Sequence, residues 1–334
     1  MSHRRRLRVA AQVLGSVLVV GLLVRDAEPG AVREALSRSS PAWVLAAALI
    51  KAAAVTLHEL RIWVALLPWK RAGVMRVVGI GYTAGLLNGV LPARGGDLLA
   101  VGMLRSECEV TTTQALAAVA ITGFAEALVF GVFVLGVLGL GAAQWELLLG
   151  PDGSARALTG LSLLTVAALF GAAMVVIVAR RLKGPDPEDE ARPSPADWVR
   201  RAVVDAGEGL SAWGPLAANL GLSIIQVALV VASFWALLPA LGLDPPLPLL
   251  ATCGVIAVGS VAAVVLPPGL GASQAATSVF VLAFFGIDEA SALAFAALGW
   301  LTNTGPALAL GFVPFWRRLS GIPALLRANR DEPE

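Results

Sequence analysis

Residues 115–140 read ALAAVAITGFAEALVFGVFVLGVLGL, a run of 26 residues with a single charge, Glu126. A bilayer-spanning helix needs about 20 predominantly apolar residues. Shorter or comparable runs occupy 9–24, 41–67, 157–179, 215–238 and 290–312. Inside hydrocarbon only helices and closed barrels satisfy their own backbone. Barrel strands would alternate apolar and polar over about ten residues, and these runs are longer and do not alternate. The chain therefore reads as an all-α polytopic membrane protein, one integral membrane domain over 1–334. Composition agrees: 14% of residues are charged, about half the ordinary soluble share. Arg4, Arg5 and Arg6 precede the first run as in a secretory signal, but no small-x-small cleavage site follows. Residues 9–24 are read as an uncleaved first span.

Charge sets the orientation. With 1–8, 68–114, 180–214 and 313–334 in the cytoplasm, those segments hold 19 of the 25 Lys and Arg. The segments then placed outside, 25–40, 141–156 and 239–248, hold four. This bias follows the positive-inside rule and predicts a multi-pass protein with both termini cytoplasmic; the high Ala, Gly, Val and Arg content points to a bacterial cytoplasmic membrane. Only one full crossing, 115–140, is needed between the inner loop at 68–76 and the outer loop at 141–156. The apolar but broken region 77–105 must then enter from the cytoplasm and return there. The same parity makes 249–285 a hairpin entering from outside. The arms are about 14–19 residues long, short for full crossings, although two complete crossings per hairpin would keep the same sidedness.

The halves mirror each other. The first half, 9–182, contains an inward span, a broken inner hairpin and an outward span. The second, 215–312, contains an outward span, a broken outer hairpin and an inward span. Two inverted repeat-like units with two broken re-entrant helical hairpins form a transporter pattern. Residues 183–214 read as a cytoplasmic linker, opening with the Pro- and acid-rich KGPDPEDEARPSPADWVRR. An interfacial helix begins near Trp198–Arg201. Residues 313–334 read as a cytoplasmic tail whose Arg317, Arg318, Arg327 and Arg330 lie near anionic headgroups.

The breaks carry the chemistry. In LLNGVLPARGGDLL, Pro92 removes a backbone donor and stops the first arm. Gly95 and Gly96 permit a sharp turn. The returning arm begins near Asp97, and its free N–H groups and dipole favour an anion. Arg94 adds a permanent charge with a fork of donors, and Asn88 both donates and accepts. Together they suit a lipid phosphate reached from the inner leaflet; the alternative is that Arg94 and Asp97 neutralise each other at a structural turn. In VVLPPGLGASQAATSVF, the helix is disrupted by Pro267, Pro268, Gly269 and Gly271, and Ser273 and Gln274 start the return arm. That break is polar but uncharged, and suits either the other end of a pathway or a structural hairpin.

Other intramembrane polar groups are fewer. Lys51 and Glu126 lie at depths that differ by roughly 6 Å at 1.5 Å per residue, close enough for an ion pair, either structural or proton-coupling. Gln226 and Asn303 suit helix-to-helix hydrogen bonds, and Pro306 suits a bend. His58, Glu59 and Arg61 sit toward the inner end of their span, where snorkelling is easy. Cys108 and Cys253 lack metal-ligand or redox spacing, two histidines are too few for a zinc site, and no P-loop is visible. No cofactor, metal or nucleic-acid partner is expected.

The two breaks resemble those of the lysylphosphatidylglycerol synthase transmembrane, or flippase-like, family. Its first pattern, Asn, then Pro, then Gly followed by an acid, is matched by Asn88, Pro92, Gly96 and Asp97, with Arg94 between them. Its second, a Pro/Gly-rich turn followed by Gly-x-x-Glu, is matched by Pro267, Pro268, Gly269, Gly271 and Gln274. The resemblance covers about residues 10–315. Asp97 stands where the family usually has Glu, and Gln274 replaces a Glu, which removes a charge. The resemblance implies lipid translocation between leaflets, without the lysyl transfer that belongs to a separate soluble domain in the family. The leading expectation is thus a lipid flippase or transporter for an anionic-headgroup or lipid-linked substrate, with membrane lipids and a lipid-modifying enzyme as partners. The alternatives are a membrane enzyme or accessory factor acting on lipid-linked substrates, with Asp97 or Glu126 as base, and a non-catalytic scaffold. The oligomeric state is left open.

Overall fold

The computed structural model describes residues 29–90, 95–141, 151–182, 194–265 and 272–328, and every regular element among them is an α-helix. In chain order these are α1 (Pro29–Ser37), α2 (Pro41–Leu66), α3 (Val74–Val90), α4 (Gly95–Cys108), α5 (Thr112–Leu140) and α6 (Pro151–Leu182). Then follow α7 (Pro195–Ser211), α8 (Trp213–Trp235), α9 (Leu237–Ala240), α10 (Pro248–Val265), α11 (Ala272–Phe284) and α12 (Glu289–Ala328). Five of them, α1, α2, α6, α7 and α10, open on proline. The first helical position needs no N–H partner, and the ring presets its φ.

Among the described residues, four helices are long and apolar enough to cross a membrane: Pro41–Leu66, Thr112–Leu140, Trp213–Ala240 and Glu289–Arg318. No more than 39% of the most apolar stretch of any of them is buried within the protein. The predicted span at 9–24 lies outside the described residues. Between the long helices stand two pairs of shorter ones, and within each pair the helices pack on one another: α3 with α4, and α10 with α11. At 1.5 Å per residue, α3 and α4, with 17 and 14 residues, reach only about 25 and 21 Å.

The chain divides into two packed units. One comprises residues up to Ala54, then Phe124–Ala172 and Ser223–Gly305. Its core is built from Phe234, Leu237, Leu238, Val255, Leu282 and Phe295, so α10 and α11 are packed on both α8–α9 and α12. The other comprises Val55–Gly123, Ala173–Leu222 and Pro306–Glu334. Its core joins Leu66, Val77, Ile80, Val101 and Leu104, which packs α3 and α4 against α2. Residues 195–211, read from sequence as part of a polar linker, form α7, and this helix is seated. Its Gly209 leaves room for Ile121 and for the ring of Trp69, whose Cη2 would lie 2.9 Å from an added Cβ.

The start of α12 shows a local rule at work. Asp288 accepts a hydrogen bond from the Ser291 amide at 2.9 Å, capping the first turn. That hydrogen bond holds the Asp288 carboxyl below its usual range. A depressed carboxyl pKa means that the cap contributes above about pH 4, the unfolded value, and is lost as the pH falls through the folded one. Asp288→Ala should cost about 1 kcal/mol at neutral pH. Melting curves in detergent should show the difference from wild type shrinking at acid pH; a difference independent of pH would assign the effect elsewhere.

Candidate functional site

The first broken region folds back on itself. At its open end, Arg76 at the start of α3 donates through Nη1 to the Glu107 carbonyl at the end of α4, at 2.8 Å. At its tip, Asn88 donates through Nδ2 to Asp97 Oδ1 at 2.7 Å. The two arms are therefore antiparallel. Pro92 and Arg94 lie between them, outside the described residues. Gly95 and Gly96 open α4, and Gly96 is buried. A side chain at Gly96 would overlap the Ala84 carbonyl oxygen and lie 2.7 Å from Asn88 Oδ1. The missing Cβ is what lets the start of α4 lie directly on α3. Asn88 Oδ1 is buried and, among the described residues, has no hydrogen-bond partner. An orphaned acceptor of this kind costs about 1–3 kcal/mol, so the tip holds an amide oxygen oriented for a donor.

Charged groups continue along the same side of α3. Gly81, Ala84 and Asn88 recur at three and four residues, one face of a helix. Glu59, 4% exposed, reaches from α2 into the space that a Gly81 side chain would fill. Arg61, one of the largest side chains buried completely, donates through Nε to Asn219 Oδ1 at 3.2 Å and through Nη2 to the Thr122 carbonyl at 2.6 Å. Asn219 returns a hydrogen bond through Nδ2 to the Arg61 carbonyl at 3.0 Å and reaches Thr122 Oγ1 at 3.4 Å. Alongside, the hydroxyls of Thr56 and Tyr82 are 2.7 Å apart. The interior of this unit is thus crossed by a polar network on α2, α3, α5 and α8.

Sequence reasoning expected Glu59 and Arg61 to snorkel toward water, and the structure buries both. The signal was present in HELR. Positions 59 and 61 are two apart, so their side chains leave the helix about 200° apart. Both cannot face the same outer side at one level. Asn219 was not singled out from sequence, being one polar residue in an apolar run.

For the second broken region, Pro267, Pro268, Gly269 and Gly271 lie outside the described residues. Ser273 and Gln274 fall in the first turn of α11. Thr277 and Ser278, one turn further, are buried, and Thr277 Oγ1 lies 3.3 Å from where a Gly259 Cβ would stand. Lys51 and Glu126 interact electrostatically within their unit, and both are half-buried. Among the described residues no group of three or more His, Cys, Asp or Glu is placed to hold a metal, and Cys108 and Cys253 are free and buried.

A sequence profile of the lysylphosphatidylglycerol synthase TM region matches residues 9–311. No curated protein matches the chain.

Proposed function

The chain belongs to the lysylphosphatidylglycerol synthase TM-region family, and on that premise we propose that it is a flippase-like transporter moving a phospholipid or lipid-linked headgroup between leaflets. The match is to the transmembrane region and contains no aminoacyl-transferase segment. The observation that carries the reading is the tip of the α3–α4 hairpin. There a carboxylate and an orphaned amide oxygen stand among apolar helices, where polar groups are costly unless they serve a purpose. A phosphate would be met by the first-turn amides of α4, which lack intrahelical partners, and by Arg94. Asn88 Oδ1 would accept from a donor elsewhere on the headgroup. The acyl chains would stay in the bilayer.

The division of the chain supports a paired architecture. Each unit holds one pair of short packed helices and a portion of each of the four long apolar ones. In this reading the two pairs of short helices are the broken hairpins of two inverted sequence halves, 9–182 and 215–312, with the tip at Pro267–Gln274 handling the opposite leaflet. The bias of Lys and Arg puts the α3–α4 hairpin on the cytoplasmic side, with both termini. Lys51 and Glu126, which interact electrostatically in the other unit, stand apart from this.

Reconstitution in vesicles containing headgroup-labelled phosphatidylglycerol tests it. Wild type should expose the inner-leaflet label to an external quencher faster than empty vesicles do. Asp97→Asn and Arg94→Ala should each slow this by about tenfold, the size of one lost charge-assisted hydrogen bond. Wild-type vesicles that behave as empty ones would remove the transport reading. Fast transport by both variants would remove the hairpin from it.

A further inference from the structure

The grip on the other end of the hairpin is not explained by headgroup binding. Arg318, near the end of α12, uses its whole guanidinium. Nε meets Glu107 Oε1 at 2.9 Å and Nη2 meets Glu107 Oε2 at 3.0 Å, a two-pronged pair with the last turn of α4. Nη1 donates to the Gly79 carbonyl at 3.0 Å and Thr83 Oγ1 at 2.9 Å on α3, and lies 3.4 Å from the Pro314 carbonyl of its own helix. One side chain thus holds both arms. Two turns earlier on α12, Gly311 lies against the backbone of Tyr82, and an added Cβ would be 2.6 Å from Leu86 Cβ. From 311 to 318, α12 therefore runs in direct contact with α3 from 79 to 86. Arg76 adds its bond to the Glu107 carbonyl.

Two features separate this from an ordinary core contact. The pair is partly exposed, with side chains at 27% and 34%, unlike the fully buried Arg61. Such a pair can be broken without stranding a charge in a dry interior. Its second feature is leverage. Residues 79 and 88 belong to one helix, about 14 Å apart along its axis. A rigid α3 held at Gly79 and Thr83 carries that position to Asn88, and through Asn88 to Asp97.

We infer that Arg318 and Glu107 form a latch that fixes the tip of the first hairpin from its far end, and that the latch governs lipid movement by positioning Asn88 and Asp97 without touching the headgroup. The second half rests on the transport reading above. Arg318 is a positioning residue, and its planar fork is what the role requires. Lysine offers a point charge that cannot bond both carboxylate oxygens and two acceptors on α3 at once.

Hydrogen exchange by mass spectrometry on the full-length protein in nanodiscs, with the vesicle assay beside it, tests both halves. Arg318→Gln should speed amide exchange in peptides covering 79–88 and 97–107 by about tenfold, as expected for losing a charge-assisted hydrogen bond, and should slow lipid movement. Glu107→Gln, which keeps the side chain's shape, should loosen the same peptides less, and Arg318→Lys should fall between Arg318→Gln and wild type. Arg105→Gln, an exposed cation on α4, should leave them unchanged. Should Arg318→Gln fail to fold, Glu107→Gln and Arg318→Lys carry the same test. Exchange that stays at the wild-type rate in the folded latch variants overturns the latch, whatever transport does. Faster exchange with undiminished transport overturns the positioning role. A wild type that moves no lipid defeats the transport reading, while exchange still decides the latch.

Discussion

Gly96→Ala is expected to unseat the hairpin, whereas Gly85→Ala, eleven residues earlier, should be neutral or slightly stabilising. The contrast rests on what a methyl group would meet. At Gly85 nothing lies within 4 Å, so the change removes the conformational cost of glycine in a helix, about 0.5–1 kcal/mol. At Gly96 the methyl would overlap the Ala84 carbonyl oxygen and crowd Asn88 Oδ1 at 2.7 Å. A backbone carbonyl inside a helix cannot turn aside, so α3 and α4 must separate. Overpacking of this kind costs about 1–3 kcal/mol. Separation also stretches the 2.7 Å bond from Asn88 to Asp97, a charge-assisted bond of about 1.5–3 kcal/mol. Thermal melting in detergent, read for the two variants side by side, decides the matter. Equal melting temperatures would mean that the arms do not approach as closely as described.

Arg61→Met should cost about 3–5 kcal/mol, the range for removing one member of a buried charged network. Methionine matches the stem in length but donates nothing. Asn219 Oδ1 and the Thr122 carbonyl would both lose the donor they now share. Arg61→Lys should recover part of the loss, since the charge stays while the fork is gone. A double-mutant cycle with Asn219→Leu gives the sharper measurement. The two side chains exchange hydrogen bonds in both directions, so their effects should fall well short of adding. Strict additivity, or an Arg61→Met protein as stable as wild type, would show that the network contributes little to holding α2, α5 and α8 portions together.

The contrast between these two residues shows how much was legible beforehand. Gly96 could be singled out because a glycine pair shortly after Pro92 in an apolar run suits a sharp turn, but that Asn88 would bond Asp97 could not be read from the order of residues. Arg61 could not. Its charge pointed to the nearest water, and only the arrangement of three helices around it supplies the acceptors that make burial tolerable. Arg318 is a similar case. From sequence it was one of four arginines expected near anionic headgroups, and its partners on α3 and α4 lie more than 200 residues away in the chain. The stretch read as a linker contained α7, where Gly207 leaves room for Ala179 and Gly209 for Ile121 and Trp69, neighbours that composition does not identify.

What the amino-acid order determined by itself was local: the length of each apolar run, the prolines that open helices, and the glycines and polar residues that interrupt them. Those follow from hydrocarbon thickness and from backbone groups that must pair within their own segment. Tertiary structure alone decided which polar side chains meet, because a hydrogen bond in a dry interior needs its partner within about 3 Å. That partner comes from whichever helix is packed alongside, and apolar surfaces that look alike to lipid do not announce their neighbours.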